Sequence, residues 1–314
     1  MNINNIKAHL SLLFAACMWG LMAPIGKAAM DAGITGLILA NTRMIGGALC
    51  FWITSFFVKS EDVPPRDLLL MFFASMLGIV CNQGCYTFGL SLTSPVDASI
   101  ITTTMPIFTL VLAAIFLKEP VTPLKVGGLF MGSIGALILI LSNSNGGGKE
   151  GNIWGDLLCM TSQISFACYL TIFKKLISRY TVFTLMKWMF TYAAIAFIPF
   201  SYNDVVATDF SSFSIDVWLE VGFVVFFATY LAYIFILFGQ KSLRPTEVSM
   251  YNYIQPVVGS TVAVAIGMSS FGWMKAIAAL LIFAGVYAVT QSKSRAQMLA
   301  EKGMTENDLT QQTK

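Results

Sequence analysis

Amide, hydroxyl and aromatic side chains inside long apolar stretches are the part of this sequence best suited to bind a small molecule. Aromatic walls with a few polar groups are typical of sites for neutral or amphipathic organic solutes. Such groups also bond helices to one another inside a membrane, and this structural role is the alternative for each residue. The candidates are Trp19, Asn82, Gln83, Tyr86, Thr103, Gln163, Tyr169, Tyr230, Tyr233, Tyr251, Asn252 and Gln255.

One basic residue, Arg43, lies inside the second apolar stretch. A charge in the centre of a bilayer costs roughly 2.5–3.5 kcal/mol on insertion scales, so its presence needs a reason. A guanidinium could clamp the carboxylate or phosphate of a substrate. Alternatively, Arg43 extends to the water interface or pairs with Asp31. Lys187, its counterpart in the second half of the chain, is expected closer to water.

Three acidic residues are candidates for proton coupling, namely Asp97, Glu119 and Glu247. Asp97 and Glu247 each follow a proline by two residues, at a position where an acid caps the start of a helix. An acid there is also stabilised by the positive end of the helix dipole. We therefore expect helix capping ahead of proton transfer, and we expect Glu119, at a helix exit beside Lys118, to be interfacial.

Pro106 and Pro256 are predicted to lie in the middle of two membrane spans, at equivalent places in the two halves. A proline inside a helix removes a backbone hydrogen bond and permits a kink. We interpret the pair as candidate flex points of gating helices, with an inherited static bend as the alternative.

The composition offers few residues that could carry out enzymatic chemistry. The chain has one histidine and six cysteines, and the cysteines fall inside apolar runs where a thiol packs as a small hydrophobic group. We find no nucleotide-binding glycine pattern, no motif for a metal site and no cofactor signature. The sequence therefore predicts a protein that is not an enzyme and that uses neither a cofactor nor nucleic acid.

The apolar stretches themselves place the chain in a membrane. Of 314 residues, 56% are hydrophobic and only 11% are charged, too few to cover a water-facing surface. A bilayer core of about 30 Å requires about 20 apolar residues per helix. Ten spans are predicted, near residues 9–30, 35–58, 67–90, 95–117, 122–142, 153–176, 182–202, 216–239, 246–268 and 272–291.

Basic residues predict the orientation of these spans, because cytoplasmic loops are rich in Lys and Arg. With the N-terminus inside, fifteen of the nineteen basic residues fall on the inner side. The exceptions are Lys27, Arg43, Lys149 and Lys275. We expect a bacterial inner-membrane protein, monomeric or homodimeric, with both termini in the cytoplasm.

The two halves of the chain repeat one another. An offset of 150 residues pairs Pro95 with Pro245 and Pro106 with Pro256, and earlier in each half the offset is 147 and then 144. The repeats are expected at 1–142 and 153–291, with a polar Gly-rich linker at 143–152 and a polar cytoplasmic tail at 292–314. Five spans per repeat is an odd number, so the second repeat enters the membrane from the opposite side.

Inverted repeats are the construction of many secondary transporters, which bind the substrate near the midplane between the halves. The sequence thus favours an all-α integral membrane protein of ten helices that moves small organic solutes by alternating access. Uniport is favoured over carboxylate-based proton coupling because few acids remain for the interior. The alternative is a channel, or a lipid flippase or scaffold.

Several short segments stand in a characteristic order along the chain: Met18-Trp19-Gly20, Arg43, Thr93-Ser-Pro-Val-Asp-Ala-Ser99 with Pro106, and Leu117-Lys118-Glu119-Pro120. Together with the doubled arrangement, they resemble the EamA group of the drug/metabolite transporter superfamily over nearly the whole chain up to Gln291. The resemblance implies a ten-helix transporter, frequently an exporter of amino-acid-like or drug-like solutes. Ser269 stands in the second half where the first has Glu119, which does not fit a symmetric pair of acids.

Overall fold

The computed structural model describes residues 3–93, 98, 101–143, 152–265, 272–293 and 298, and within these ranges the chain is helical without strands. Five helical stretches are long and apolar enough to cross a membrane: Asn5–Asp31, Gly36–Ser55, Pro65–Leu92, Val182–Ala207 and Ile215–Ser242. Three shorter apolar helices accompany them: Met105–Phe116, Pro123–Ile138 and Ala276–Gln291. The prediction of an all-helical membrane protein agrees with this architecture.

The first half of the chain contains α1 (Ile3–Asp31), α2 (Gly36–Ser55), α3 (Pro65–Ser75), a π-helical segment (Met76–Gly84), α4 (Cys85–Leu92), α5 (Met105–Phe116) and α6 (Pro123–Asn143). The second half contains α7 (Ile153–Ile172), α8 (Lys174–Arg179), α9 (Val182–Ala207), a 3₁₀ turn (Phe210–Ser212), α10 (Ile215–Val225), a π-helical segment (Phe226–Leu231), α11 (Ala232–Ser242), α12 (Pro245–Met250), a 3₁₀ turn (Tyr251–Tyr253), α13 (Ile254–Ala265) and α14 (Trp273–Gln291).

The helices pack in pairs drawn from different halves. Helix α1 lies along α11 and α13, and α7 lies along α4 and α5. Helix α2 packs against α9, where Phe51 stacks on Phe190 with ring centroids 5.4 Å apart. Helix α6 packs against α14. The core is therefore formed between the halves rather than within each of them.

The positions of Pro106 and Pro256 differ from the prediction, which placed each proline in the middle of a continuous helix. Helix α5 begins at Met105 after a turn at Thr103 and Thr104, and α13 begins at Ile254 after a 3₁₀ turn. Each proline thus lies in the first turn of a helix, where its missing N–H leaves no bond unmade. The break in each span precedes the proline instead of being centred on it.

Glycine backbones meet where α6 crosses α14. A Cβ on Gly128 would lie 2.7 Å from the carbonyl oxygen of Gly285, and a Cβ on Gly285 would lie 2.5 Å from that of Gly128. Small residues at such crossings let two membrane helices approach closely and gain van der Waals contact. Backbone atoms cannot rotate away as a flexible side chain can, so this crossing requires glycine on both helices.

Adjacent glycines on α6 test this requirement. We expect Gly128→Ala to destabilise the protein by about 1–3 kcal/mol through overpacking. Gly127→Ala is the matched control, because a Cβ there meets nothing within 4 Å; it should be neutral or stabilising, since alanine favours helix by about 1 kcal/mol over glycine. Thermal unfolding of both variants in detergent measures the difference. A Gly128→Ala protein that unfolds no earlier than Gly127→Ala would contradict the close crossing.

Candidate functional site

A cavity open to solvent lies between the two halves of the bundle, with about 550 Å³ of empty space when its open mouth is included. The first half contributes side chains from α1, α2, the first π-helical segment, α4 and the residues before α5. The second half contributes side chains from α7, α11, the 3₁₀ turn before α13, and α13 itself. The lining residues are Trp19, Met22, Arg43, Asn82, Gln83, Tyr86, Thr102, Ser162, Gln163, Phe166, Tyr233, Asn252 and Gln255.

Aromatic rings form one part of the wall. The Trp19 ring meets Phe166 edge to face with centroids 6.0 Å apart, and it meets Tyr233 in the same way at 6.0 Å. The Trp19 indole Nε1 donates a hydrogen bond to the carbonyl oxygen of Ala228 at 3.1 Å. Because Ala228 lies in the second π-helical segment, that segment fixes the orientation of a ring supplied by α1.

Amide side chains form the polar part of the wall and bridge the halves. Gln83 Nε2 donates to the Tyr233 hydroxyl at 2.8 Å. Asn82 Nδ2 donates to the Ser162 carbonyl oxygen at 3.2 Å and to Ser162 Oγ at 3.1 Å. Buried polar groups held by such bonds orient their remaining donors and acceptors, so the polar face of the cavity is preorganised.

Arg43 brings a positive charge to this cavity. Its side chain is only 4% exposed, and its Nε donates to Thr229 Oγ1 at 2.9 Å. The Thr229 hydroxyl in turn donates to the Val224 carbonyl oxygen at 2.9 Å. The alternative pairing with Asp31 is wrong, because Asp31 bonds Lys27 at 2.8 Å. The other alternative, extension to the interface, is also wrong, because the side chain lines the cavity.

Nine of the predicted binding residues come together around the cavity, and a role for them in binding stays a prediction. They are Trp19, Arg43, Asn82, Gln83, Tyr86, Gln163, Tyr233, Asn252 and Gln255.

Four predicted binding residues lie outside the cavity wall. Thr103 is buried at the turn before α5, and its neighbour Thr102 lines the cavity instead. The Tyr230 hydroxyl bonds Thr54 Oγ1 at 2.6 Å, away from the cavity between α2 and the second π-helical segment. Tyr251 and Tyr169 use their hydroxyls at other contacts, with His9 Nδ1 at 2.8 Å and with Gln240 Oε1 at 3.3 Å respectively.

Apart from Thr102, the neighbour of the predicted Thr103, three lining residues were missed by sequence reasoning, namely Met22, Ser162 and Phe166. Phe166 is the repeat counterpart of Trp19 at the offset of 147, so a search for paired positions would have found it. Ser162 adjoins Gln163 in the sequence but has no distinguishing pattern of its own. Met22 is one apolar residue among many in α1, and nothing in its type marks it.

Two of the three candidate acids, Glu119 and Glu247, are not among the described residues that line the cavity. Asp97 lies outside the described residues. Glu119 is more buried than expected, because its Oε2 accepts from Lys125 Nζ at 2.6 Å and from Thr246 Oγ1 at 2.7 Å. Glu247 accepts from the backbone N–H of Arg244 at 2.9 Å and also contacts the Arg244 guanidinium. Glu119 and Glu247 are therefore committed to contacts at the end of the bundle where α1 begins.

Comparison with known proteins gives consistent results. The model of the EamA-like transporter family matches residues 6–141 and again residues 153–291. The chain is 28% identical over 212 residues to the uncharacterized transporter YyaM of Bacillus subtilis, covering 67% of this chain and 69% of that protein. It is 26% identical to an uncharacterized transporter of Archaeoglobus fulgidus, covering 92% of this chain and 100% of that protein.

Other relatives extend the similarity. A WAT1-related protein of Arabidopsis thaliana is 22% identical, with 94% of this chain and 87% of that protein covered. A solved crystal structure superposes with a TM-score of 0.71 at 20% sequence identity, covering 90% of this chain and 97% of the other, which shows a shared fold. The family description and the names of the bacterial and archaeal relatives indicate a transporter rather than an enzyme. On the double match over nearly its whole length, the chain belongs to the EamA-like transporter family.

Proposed function

We propose that this protein is a secondary transporter that exports small organic metabolites, amino-acid-like or drug-like, through alternating access of two inverted five-helix repeats. The observation that carries the proposal is the cavity between the halves. A transported solute must touch both moving halves, and this cavity has polar and aromatic groups from each.

Repeat-equivalent residues meet in the cavity, which supports the inverted arrangement. Gln83 and Tyr233, related by the offset of 150, bond to one another directly at 2.8 Å. Two copies of one position can touch in this way only near the axis that relates the copies. Three such pairs line the cavity: Trp19 and Phe166, Gln83 and Tyr233, and Thr102 and Asn252.

The pairing of helices supports the same arrangement. Exchanging the repeats turns the contact of α1 with α11 into that of α7 with α4, and the contact of α1 with α13 into that of α7 with α5. The two π-helical segments begin at Met76 and Phe226, which the offset of 150 also pairs. These contacts support the proposal of ten spans, with the broken helices of each half at equivalent positions.

The end of the bundle where α1 begins is proposed to face the cytoplasm and to be closed in this conformation. Glu119, at the exit of α5 in the first half, bonds Thr246 at the start of α12 in the second half. Arg244 Nη2 also donates to the Ser292 carbonyl oxygen at 2.9 Å. The abundance of basic residues at this end favours a cytoplasmic position in a bacterial inner membrane, with both termini inside.

Transport itself is tested in two steps. A metabolite panel from cells with and without the protein identifies solutes that the protein depletes from the cytoplasm. Saturable counterflow of such a solute in liposomes containing the purified chain would support a secondary transporter. Large conductance in planar bilayers would instead indicate a channel, and movement of labelled lipid would indicate a flippase. An imposed pH gradient that drives concentrative uptake would overturn uniport.

Replacing Gln163 tests whether the cavity binds the transported solute. Its side chain is 5% exposed and makes only a long contact of 3.4 Å with Ser162 Oγ, so its amide is not needed for folding. We expect Gln163→Leu to lower kcat/KM for counterflow about five- to tenfold, the equivalent of about one hydrogen bond. Thr161→Val on the exposed face of the same helix is the control and should transport normally. Equal transport by both variants would argue against the cavity as the binding site.

Cross-linking tests opening at the Glu119 end. In a chain whose six native cysteines are replaced and whose counterflow is first verified, Glu119→Cys and Thr246→Cys are joined by a short cleavable thiol reagent. Because this contact joins the two halves, we expect cross-linking to stop counterflow and cleavage of the reagent to restore it. Each single cysteine variant treated with the same reagent is the control. Undiminished counterflow by the cross-linked protein would show that this contact need not open.

A further inference from the structure

We infer that the cavity selects a solute carrying a single carboxylate on an aromatic or apolar body, with the carboxylate bound by Arg43. This inference rests on the proposed function, because it treats the cavity as the site of the transported solute. It adds a substrate class that neither the family nor the names of the relatives specify.

The first argument is charge. Arg43 is 96% buried, and among the described residues it makes no ion pair. The described residues that line the cavity include no carboxylate. A buried guanidinium without a counter-charge has lost much of its hydration, and the Thr229 hydroxyl replaces only the part at Nε. A bound anion would supply the missing partner.

The second argument is geometry. The Nε of Arg43 donates its hydrogen bond to Thr229 Oγ1. The Nη1 and Nη2 groups bond no acceptor in the described part of the chain. These two nitrogens form one edge of the planar guanidinium, and such an edge matches the two oxygens of a carboxylate. Because Thr229 is anchored to the Val224 carbonyl oxygen, the guanidinium plane is fixed before a solute arrives.

The third argument is the number of charges. Arg43 is the only basic residue among the described residues that line the cavity, so the wall balances one negative charge and not two. A phosphate ester or a dicarboxylate would bury a second charge without a partner. The rings of Trp19, Phe166 and Tyr233 provide the surface for the rest of the solute, which is therefore apolar or aromatic.

Matched ligands test this class. Binding to the purified full-length chain is measured by titration calorimetry with benzoate, phenylacetate, 3-phenylpropionate and 4-phenylbutyrate, each compared with its neutral amide. Phenyl phosphate and phenylsuccinate serve as dianionic probes. We expect at least one carboxylate to bind about tenfold or more tightly than its amide and than either dianion. If every carboxylate binds no better than its amide, or if a dianion binds most tightly, the inference is overturned.

Variants then assign the preference to Arg43. Arg43→Gln should bind the preferred carboxylate at least about tenfold more weakly than the parent protein does, and Arg43→Lys, which keeps the charge without the planar edge, should fall between them. Lys187→Gln is the matched control, since Lys187 is the repeat counterpart and lies over the Trp52 ring, 4.9 Å from its centroid, outside the cavity. A carboxylate preference that survives Arg43→Gln, or one lost in Lys187→Gln, would contradict the assignment.

The two proposals fail separately. If no solute shows saturable counterflow but the carboxylates still bind through Arg43, the transporter proposal fails and the anion site stands. If neutral or cationic solutes show counterflow and the carboxylate panel shows no preference, the transporter proposal stands and the anion site fails.

Discussion

The two π-helical segments, Met76–Gly84 and Phe226–Leu231, provide the polar contacts on which the cavity depends. Lipid cannot satisfy a misplaced polar group, so the atoms of these side chains that face away from the cavity need partners inside the protein. The second segment supplies the Ala228 carbonyl that holds Trp19 and the Thr229 hydroxyl that holds Arg43. The first segment contains Gln83, whose amide reaches Tyr233. π-helical turns are frequent at functional sites because they redirect side chains that an α-helix would place elsewhere.

These segments also explain how far the sequence alone can predict the site. Polar residues in apolar spans must face the protein interior, and this rule found most of the cavity wall, including Gln83 and Tyr233. It could not separate Tyr233 from Tyr230, which is three residues away and bonds Thr54 on a different face. The helical period is broken in that stretch by the π-helical turn, so the direction of each side chain cannot be read from spacing. The all-helical membrane fold and the family resemblance, which depend on composition and on the order of motifs, were predicted correctly.

Among the described residues, the paired acids Glu119 and Glu247 lie at the end of the bundle, whereas Arg43 lies at the cavity. Glu119 and Glu247 are held by Lys125 and Arg244 at the end where α1 begins, where each acid has a cation within contact distance. Helix ends near water tolerate such pairs at low cost, whereas an acid beside Arg43 would neutralise the only cation among the described residues of the wall. The sequence position of Glu247 predicted helix capping, and its carboxylate accepts from the Arg244 backbone N–H at the start of α12. The contact of Glu119 with Thr246, in contrast, joins residues far apart in the chain, and spacing does not encode it.

The proposed inverted repeat gives a symmetric scaffold, yet the described wall of the cavity is chemically one-sided. Arg43 lines the cavity, while its counterpart Lys187 lies over the Trp52 ring outside it. A symmetric site would hold an asymmetric solute equally well in two orientations related by the axis. A single guanidinium on the α2 side removes that degeneracy, because an anionic group is stabilised in only one of the two orientations. The proposed alternating access needs two similar scaffolds but not two similar binding groups, so divergence at this one position could set solute specificity without altering the proposed motion of the halves.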